Sequence, residues 1–77
     1  MEDYEAVESS NIDAVKYDAE EEALYVVFSN GSHYRYYGVP AEVFEEFMGA
    51  ESKGKFFHAN IRSDFPCMQI EETEDDG

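Results

Sequence analysis

Two runs rich in β-branched and aromatic residues, 23–28 (ALYVVF) and 32–37 (SHYRYY), stand on either side of Asn30 and Gly31, which predicts a β-hairpin. The loop length decides which rings share a face. A two-residue Asn30-Gly31 turn would pair Val26 with Arg35 and Leu24 with Tyr37, mixing charge and apolar groups on both sides. A three-residue loop, Ser29-Asn30-Gly31 with Gly31 left-handed, pairs Phe28 with Ser32, Val26 with Tyr34 and Leu24 with Tyr36. Leu24, Val26, Phe28, Tyr34 and Tyr36 then form one apolar face, while Tyr25, Val27, His33, Arg35 and Tyr37 form a mixed one. An antiparallel sheet with one solvated side needs that division, so the three-residue loop is expected. Residues 10–18 (SNIDAVKYD) read as a preceding strand, followed by an acidic turn. Residues 65–70 (FPCMQI) are held extended by Pro66 and can add an edge strand.

The pattern changes to a helical period after Gly38. Pro40 is expected at the first helical position, where a missing N–H costs nothing, with Glu42 in the first turn. Val43, Phe44, Phe47 and Met48 fall on one face, Glu45 and Glu46 point away, and Gly49 ends the helix. Ser52 then caps a second short helix over 53–62, which turns Phe56, Phe57 and Ile61 toward the sheet. The expected fold is α+β: a small antiparallel β-meander of three to four strands with two short helices packed on one face.

Size changes the meaning of the rings. A chain of 77 residues is one domain. It buries only about 60% of its unfolded surface, so its core is thin. Six Phe and six Tyr supply large buried area, and most are expected to be structural. The lone Cys67 excludes an internal disulfide and is expected as a small apolar core residue. Met1-Glu2-Asp3 is acidic where a signal peptide needs positive charge, and no apolar run is long enough to cross a bilayer. A cytoplasmic location is expected, with no membrane contact.

Charge is the second unusual feature, a formal −14 from nineteen acids and five bases. Residues 1–8 and 71–77 are read as solvated acidic tails, the latter disordered, around a domain spanning 9–70. Such a balance argues against direct contact with nucleic acid, which depends on clustered Lys and Arg, and favours a basic partner.

Several stretches together resemble a known family, the KTSC domain, found at the C-terminus of some lysyl-tRNA synthetases. They are VESSNI (7–12), AVKYD (14–18), LYVVFSNGSHYRYYGVP (24–40) and ESKGKFFHANIR (51–62). The elements that carry the resemblance include Ser9-Ser10, Tyr17-Asp18, Gly31, Tyr34, Tyr36, Val39-Pro40, Ser52, Gly54, Phe57 and Ile61-Arg62. It implies a small stand-alone or appended domain without an agreed enzymatic activity, and its place on a synthetase suggests RNA-related work.

Candidate sites follow from the residue types. Tyr25, Arg35, Tyr37 and His33 on the outward sheet face resemble a base-stacking platform, although cross-strand pairing accounts for them without a ligand. Lys53, Lys55 and Arg62, with Lys16 and Arg35, make the cationic region, and the start of the second helix near Ser52 and Gly54 could hold an anion. Tyr25, Arg35, Tyr37, Lys53, Lys55 and Arg62 form the set expected for RNA or anion binding. His33 and His58 lack a metal-binding spacing, so no metal or cofactor is expected. Cys67 with His58 could form a thiol pair, but no oxyanion arrangement is legible. Ser9, Ser10, Asn11 and Asp18 are expected to satisfy turn backbone groups.

The function expected first is a non-catalytic interaction protein. Asp18, Glu20, Glu21, Glu22, Glu42, Glu45 and Glu46 would form an acidic surface that docks on a basic, nucleic-acid-binding protein. Carboxylates so placed can mimic nucleic acid, as in a phage-encoded inhibitor of the anti-CRISPR type. The alternatives are an RNA- or tRNA-binding accessory module and a halophile's housekeeping domain.

Overall fold

The computed structural model describes residues 4–70, so the acidic stretch 71–77 lies outside the described residues. Among these residues five strands form one antiparallel sheet in chain order: β1 (Glu5–Ala6), β2 (Ile12–Asp18), β3 (Ala23–Phe28), β4 (His33–Tyr36) and β5 (Cys67–Ile70). Helices α1 (Ala41–Gly49) and α2 (Lys53–Asn60) lie between β4 and β5 in sequence.

The hairpin adopts the three-residue register. Leu24 faces Tyr36 and Val26 faces Tyr34. Phe28 N–H donates to Ser32 C=O at 2.8 Å, and Gly31 holds φ 93°. The apolar face carries the core: Ile12, Val15, Leu24, Val26 and Tyr36 meet Val39, Phe47, Phe57 and Ile61 from the helices and their flanks. Phe47 and Phe57 are the largest fully buried side chains. Truncating either to Ala is expected to cost about 3–5 kcal/mol. The opposite face of the sheet carries neither of these core helices.

Four positions differ from expectation, each for a local reason. The sheet has a fifth strand because Glu5 and Ala6, assigned to the N-terminal tail, pair with Val15 and Ala14 and cover the edge of β2. Pro40 caps α1 and does not begin it. Its ψ of 155° is extended, and its carbonyl accepts from Val43 and Phe44 N–H. Cys67 is exposed and not in the core. Its pairing with Tyr36 puts it on the helix side, but β5 is the edge strand of the sheet and Cys67 borders an open cleft beside Phe57, His58 and Arg62. Phe56 is only half-buried, set against Phe47 with centroids 6.2 Å apart. Among the described residues, no helix is long and apolar enough to cross a membrane.

Candidate functional site

Three regions carry the chemistry, and the first is the acidic end. The turn between β2 and β3 is built by Asp18, whose Oδ1 accepts from Glu20 N–H at 3.1 Å and Glu21 N–H at 3.3 Å. Asp18 thus serves the turn backbone. Glu22 closes it at φ 52°, a left-handed conformation that bulky residues avoid. Its carbonyl accepts from Val39 N–H at 2.8 Å. Tyr17 stacks on Phe44 of α1 at 4.7 Å. These contacts tie the turn to the segment that enters α1; Glu20, Glu21 and Glu22 are exposed on the turn, and Glu42, Glu45 and Glu46 are exposed along the helix. Burial, then the Glu22 and Asp18 carboxylates, raise the Tyr17 hydroxyl above its ordinary pKa.

The outward sheet face is the second region. Strand register lines up Lys16, Tyr25, Arg35 and Met68 across four strands in one row free of carboxylates. Lys16 Nζ lies 4.8 Å from the Tyr25 ring centroid and 5.4 Å from that of Tyr4. The Arg35 guanidinium lies 5.2 Å from Tyr25 and 5.0 Å from Tyr37. Cations and rings alternate, which favours each contact electrostatically. Arg35 Nε is buried with no hydrogen-bond partner in the structure. Among the described residues Met68 is the large hydrophobic residue left exposed, at 60%. Tyr4, Lys16 and Met68 were not grouped with Tyr25 by sequence pattern, because the β2–β3 and β4–β5 registers depend on long-range pairing.

The third region is a pair of adjoining clefts beside α2. Ser52 Oγ accepts from Lys55 N–H at 3.3 Å, the expected cap. Ser9 Oγ accepts from Asn11 and Ile12 N–H. Gly54 allows the helix to approach Ser9, because a Cβ there would stand 3.1 Å from Ser9 Oγ. The first cleft, about 530 Å³, lies over this contact and includes Lys53 and Lys55. Lys53 Nζ donates back to Ala50 C=O at 3.4 Å. The second, about 640 Å³, opens between the hairpin and α2 over Phe28, Tyr34, Tyr36 and Phe57. Asn11 and His58 line both.

The six residues expected for RNA or anion binding therefore do not form one site. Tyr25, Arg35 and Tyr37 lie together on the outward face, Lys53 and Lys55 stand at the start of α2 across the sheet, and Arg62 edges the second cleft. His58 and Cys67 both border that cleft, and the polar contact of His58 runs to Arg62 at 3.3 Å. Among the described residues no three His, Cys, Asp or Glu groups converge on a metal position.

Comparison with known proteins matches residues 8–65 to the KTSC domain. A protein of Tsukamurella paurometabola is 43% identical over 64 residues, covering 83% of this chain and 96% of its own length. A lysine–tRNA ligase of Nostoc sp. is 40% identical over 63 residues, and this chain spans 11% of that enzyme. The crystal structure of a KTSC domain protein from Yersinia pestis superposes with a TM-score of 0.83 at 38% identity, covering 88% of this chain and 96% of that one.

Proposed function

Because the chain belongs to the KTSC domain family, we propose that it is a non-catalytic cytoplasmic binding domain whose acidic end docks on a basic protein. The carrying observation is the lock between turn and helix. The Glu22 carbonyl accepts from Val39 N–H, which ties the turn carrying Glu20, Glu21 and Glu22 to the segment that enters α1 and its Glu42. Glu22 strengthens the case, because its backbone occupies a conformation that glycine adopts at lower cost, yet a carboxylate stands there. With a formal charge of −14, such an end steers and orients a cationic partner. Occupation of a nucleic-acid channel by these carboxylates, as in a phage-encoded inhibitor, is the specific form of this reading. The test is capture on the immobilised full chain at low and high salt, with a Glu20→Gln/Glu21→Gln/Glu22→Gln variant beside it. Partners released by salt and lost with the variant support the proposal. Retention unchanged by both refutes it.

A second reading, an RNA-binding accessory module, is favoured by the 40% identity to a segment of a lysine–tRNA ligase. The row of Lys16, Tyr25 and Arg35 would be its contact surface, with bases on the rings and phosphates on the cations. Filter retention of single-stranded RNA at low salt, reduced by Lys16→Gln/Arg35→Gln, tests it. No retention by the parent chain removes it.

A further inference from the structure

We infer that the cleft between the hairpin and α2 binds one nucleotide unit, a flat heteroaromatic base carrying a single phosphate. This rests on a different surface from both docking readings and stands or falls without them. The cleft is concave and about 640 Å³, within the range of small-molecule sites. Among the described residues its lining contains no carboxylate, on a chain with nineteen acids. That exclusion selects against cations and for a neutral or anionic ligand.

The floor and walls are aromatic. Phe57 meets Tyr36 edge to face at 5.2 Å and 90°, and meets Phe28 at 5.5 Å and 68°. Phe28 meets Tyr34 at 5.6 Å and 79°. Phe57 and Tyr36 are buried, whereas Tyr34 and Phe28 are only half-buried. A flat ring entering the cleft can cover the remaining exposed area of these two and continue the same packing. The exposed amides of Asn11 and Asn30 stand at the rim. Asn30 uses its carbonyl oxygen on Ser32 N–H at 2.9 Å, which leaves its NH₂ group as a donor to the polar edge of a base.

Arg62 supplies the phosphate contact. It is exposed at the mouth, and its Nη1 lies 3.3 Å from His58 Nδ1. Because a guanidinium only donates, His58 Nδ1 is the acceptor in this contact, which holds Arg62 at the mouth. A guanidinium fork suits phosphate oxygens better than an ammonium. Arg62 is the one fixed cation in this lining, so charge also limits the ligand. Within this lining a second or third phosphate would find no further cation and would meet the field of an acidic chain. One phosphate fits best.

The experiment is amide NMR on the ¹⁵N-labelled full chain, titrated with AMP, GMP, CMP and UMP, their nucleosides, ATP, and a 5′-phosphorylated RNA trinucleotide. Saturable shifts centred on the cleft-lining Phe28, Asn30, Tyr34, His58 and Arg62 are expected for at least one monophosphate, with ATP weaker. Arg62→Gln should weaken the monophosphate about tenfold and leave the nucleoside unchanged. Tyr34→Ala should weaken both, and Arg35→Gln on the far face should weaken neither. Tighter saturation of the same resonances by the trinucleotide identifies an RNA end as the source, and equal affinity identifies the free nucleotide. The inference is overturned by the absence of saturable shifts up to about 10 mM, by shifts centred on Tyr25 and Arg35, or by unaltered binding in Arg62→Gln.

Discussion

The ring of Tyr17 lies flat against that of Phe44, with centroids 4.7 Å apart and planes 9° from parallel. The Tyr17 hydroxyl donates to the Val39 carbonyl at 2.6 Å, so one side chain joins the end of β2 to the entry of α1. Val39 is fully buried, and its carbonyl has little access to replacement water. Tyr17→Phe keeps the stack and removes the donor, for an expected loss of about 1 kcal/mol. Tyr17→Ala removes both, at about 3 kcal/mol. Urea unfolding should show lower midpoints at unchanged slope in both variants.

Glu22 should trade stability against binding. At φ 52° a glutamate bears a steric cost of about 1–2 kcal/mol, partly offset on change to Gly by the greater freedom of the unfolded chain. Glu22→Gly is expected to raise the thermal midpoint by about 3 °C, using the size scaling for small domains. The same variant should bind a basic partner less well, having lost a carboxylate from the acidic end. A lower midpoint would show that the left-handed backbone is not strained.

Gly31 and Gly54 should both resist alanine, for opposite reasons. A Cβ on Gly31 would touch nothing within 4 Å, but φ is 93°. Gly31→Ala therefore carries a backbone cost alone, about 1–2 kcal/mol. Gly54 lies in a helix, where Ala is intrinsically better by about 1 kcal/mol. There the added carbon meets Ser9 Oγ at 3.1 Å, and that oxygen is held by two backbone N–H groups. Gly54→Ala destabilises if Ser9 is held as tightly as these bonds indicate, and it should then cost less in a Ser9→Ala background, which itself loses both bonds. Equilibrium denaturation of the two single variants and the double variant measures the coupling.

These residues show why some of the fold was legible in sequence and some was not. The hairpin register followed from Leu24, Val26, Tyr34 and Tyr36, because only one loop length puts them on one face. Ser52 followed from cap chemistry and Phe57 from helical spacing. Strand β1 was not legible, since Glu5 and Ala6 carry no alternation and are held by backbone bonds to β2. Cys67 was misplaced because burial depends on whether a helix passes over that strand, and residue type does not encode this. The runs of Asp and Glu were legible as charge, but not the Glu22–Val39 backbone bond that ties the β2–β3 turn to the entry of α1. The second cleft draws Asn11, Tyr34, Phe57 and Cys67 from four separate segments, which only the tertiary fold brings together.

Tyr36 should make the fold sensitive to alkali within a defined window. Its hydroxyl is pushed up to about 12 from 10.0, chiefly by burial, then by the nearby Cys67 thiol and the hydrogen bond to it, with Arg62 opposing and Tyr34 adding slightly. Below pH 10 both folded and unfolded states keep the proton, and stability does not depend on this group. Between pH 10 and 12 the unfolded chain releases it while the folded chain retains it. The unfolded state then binds fewer protons, so unfolding free energy falls as pH rises. The loss approaches something on the order of 2–3 kcal/mol by pH 12. Tyr36→Phe has no proton to release and should flatten the stability curve over that interval, although Tyr17, raised in the same direction, leaves a residual slope. Urea titrations at intervals from pH 9 to 12 compare the two chains. Equal slopes would mean that water reaches the Tyr36 hydroxyl more readily than the 3% exposure of that residue implies.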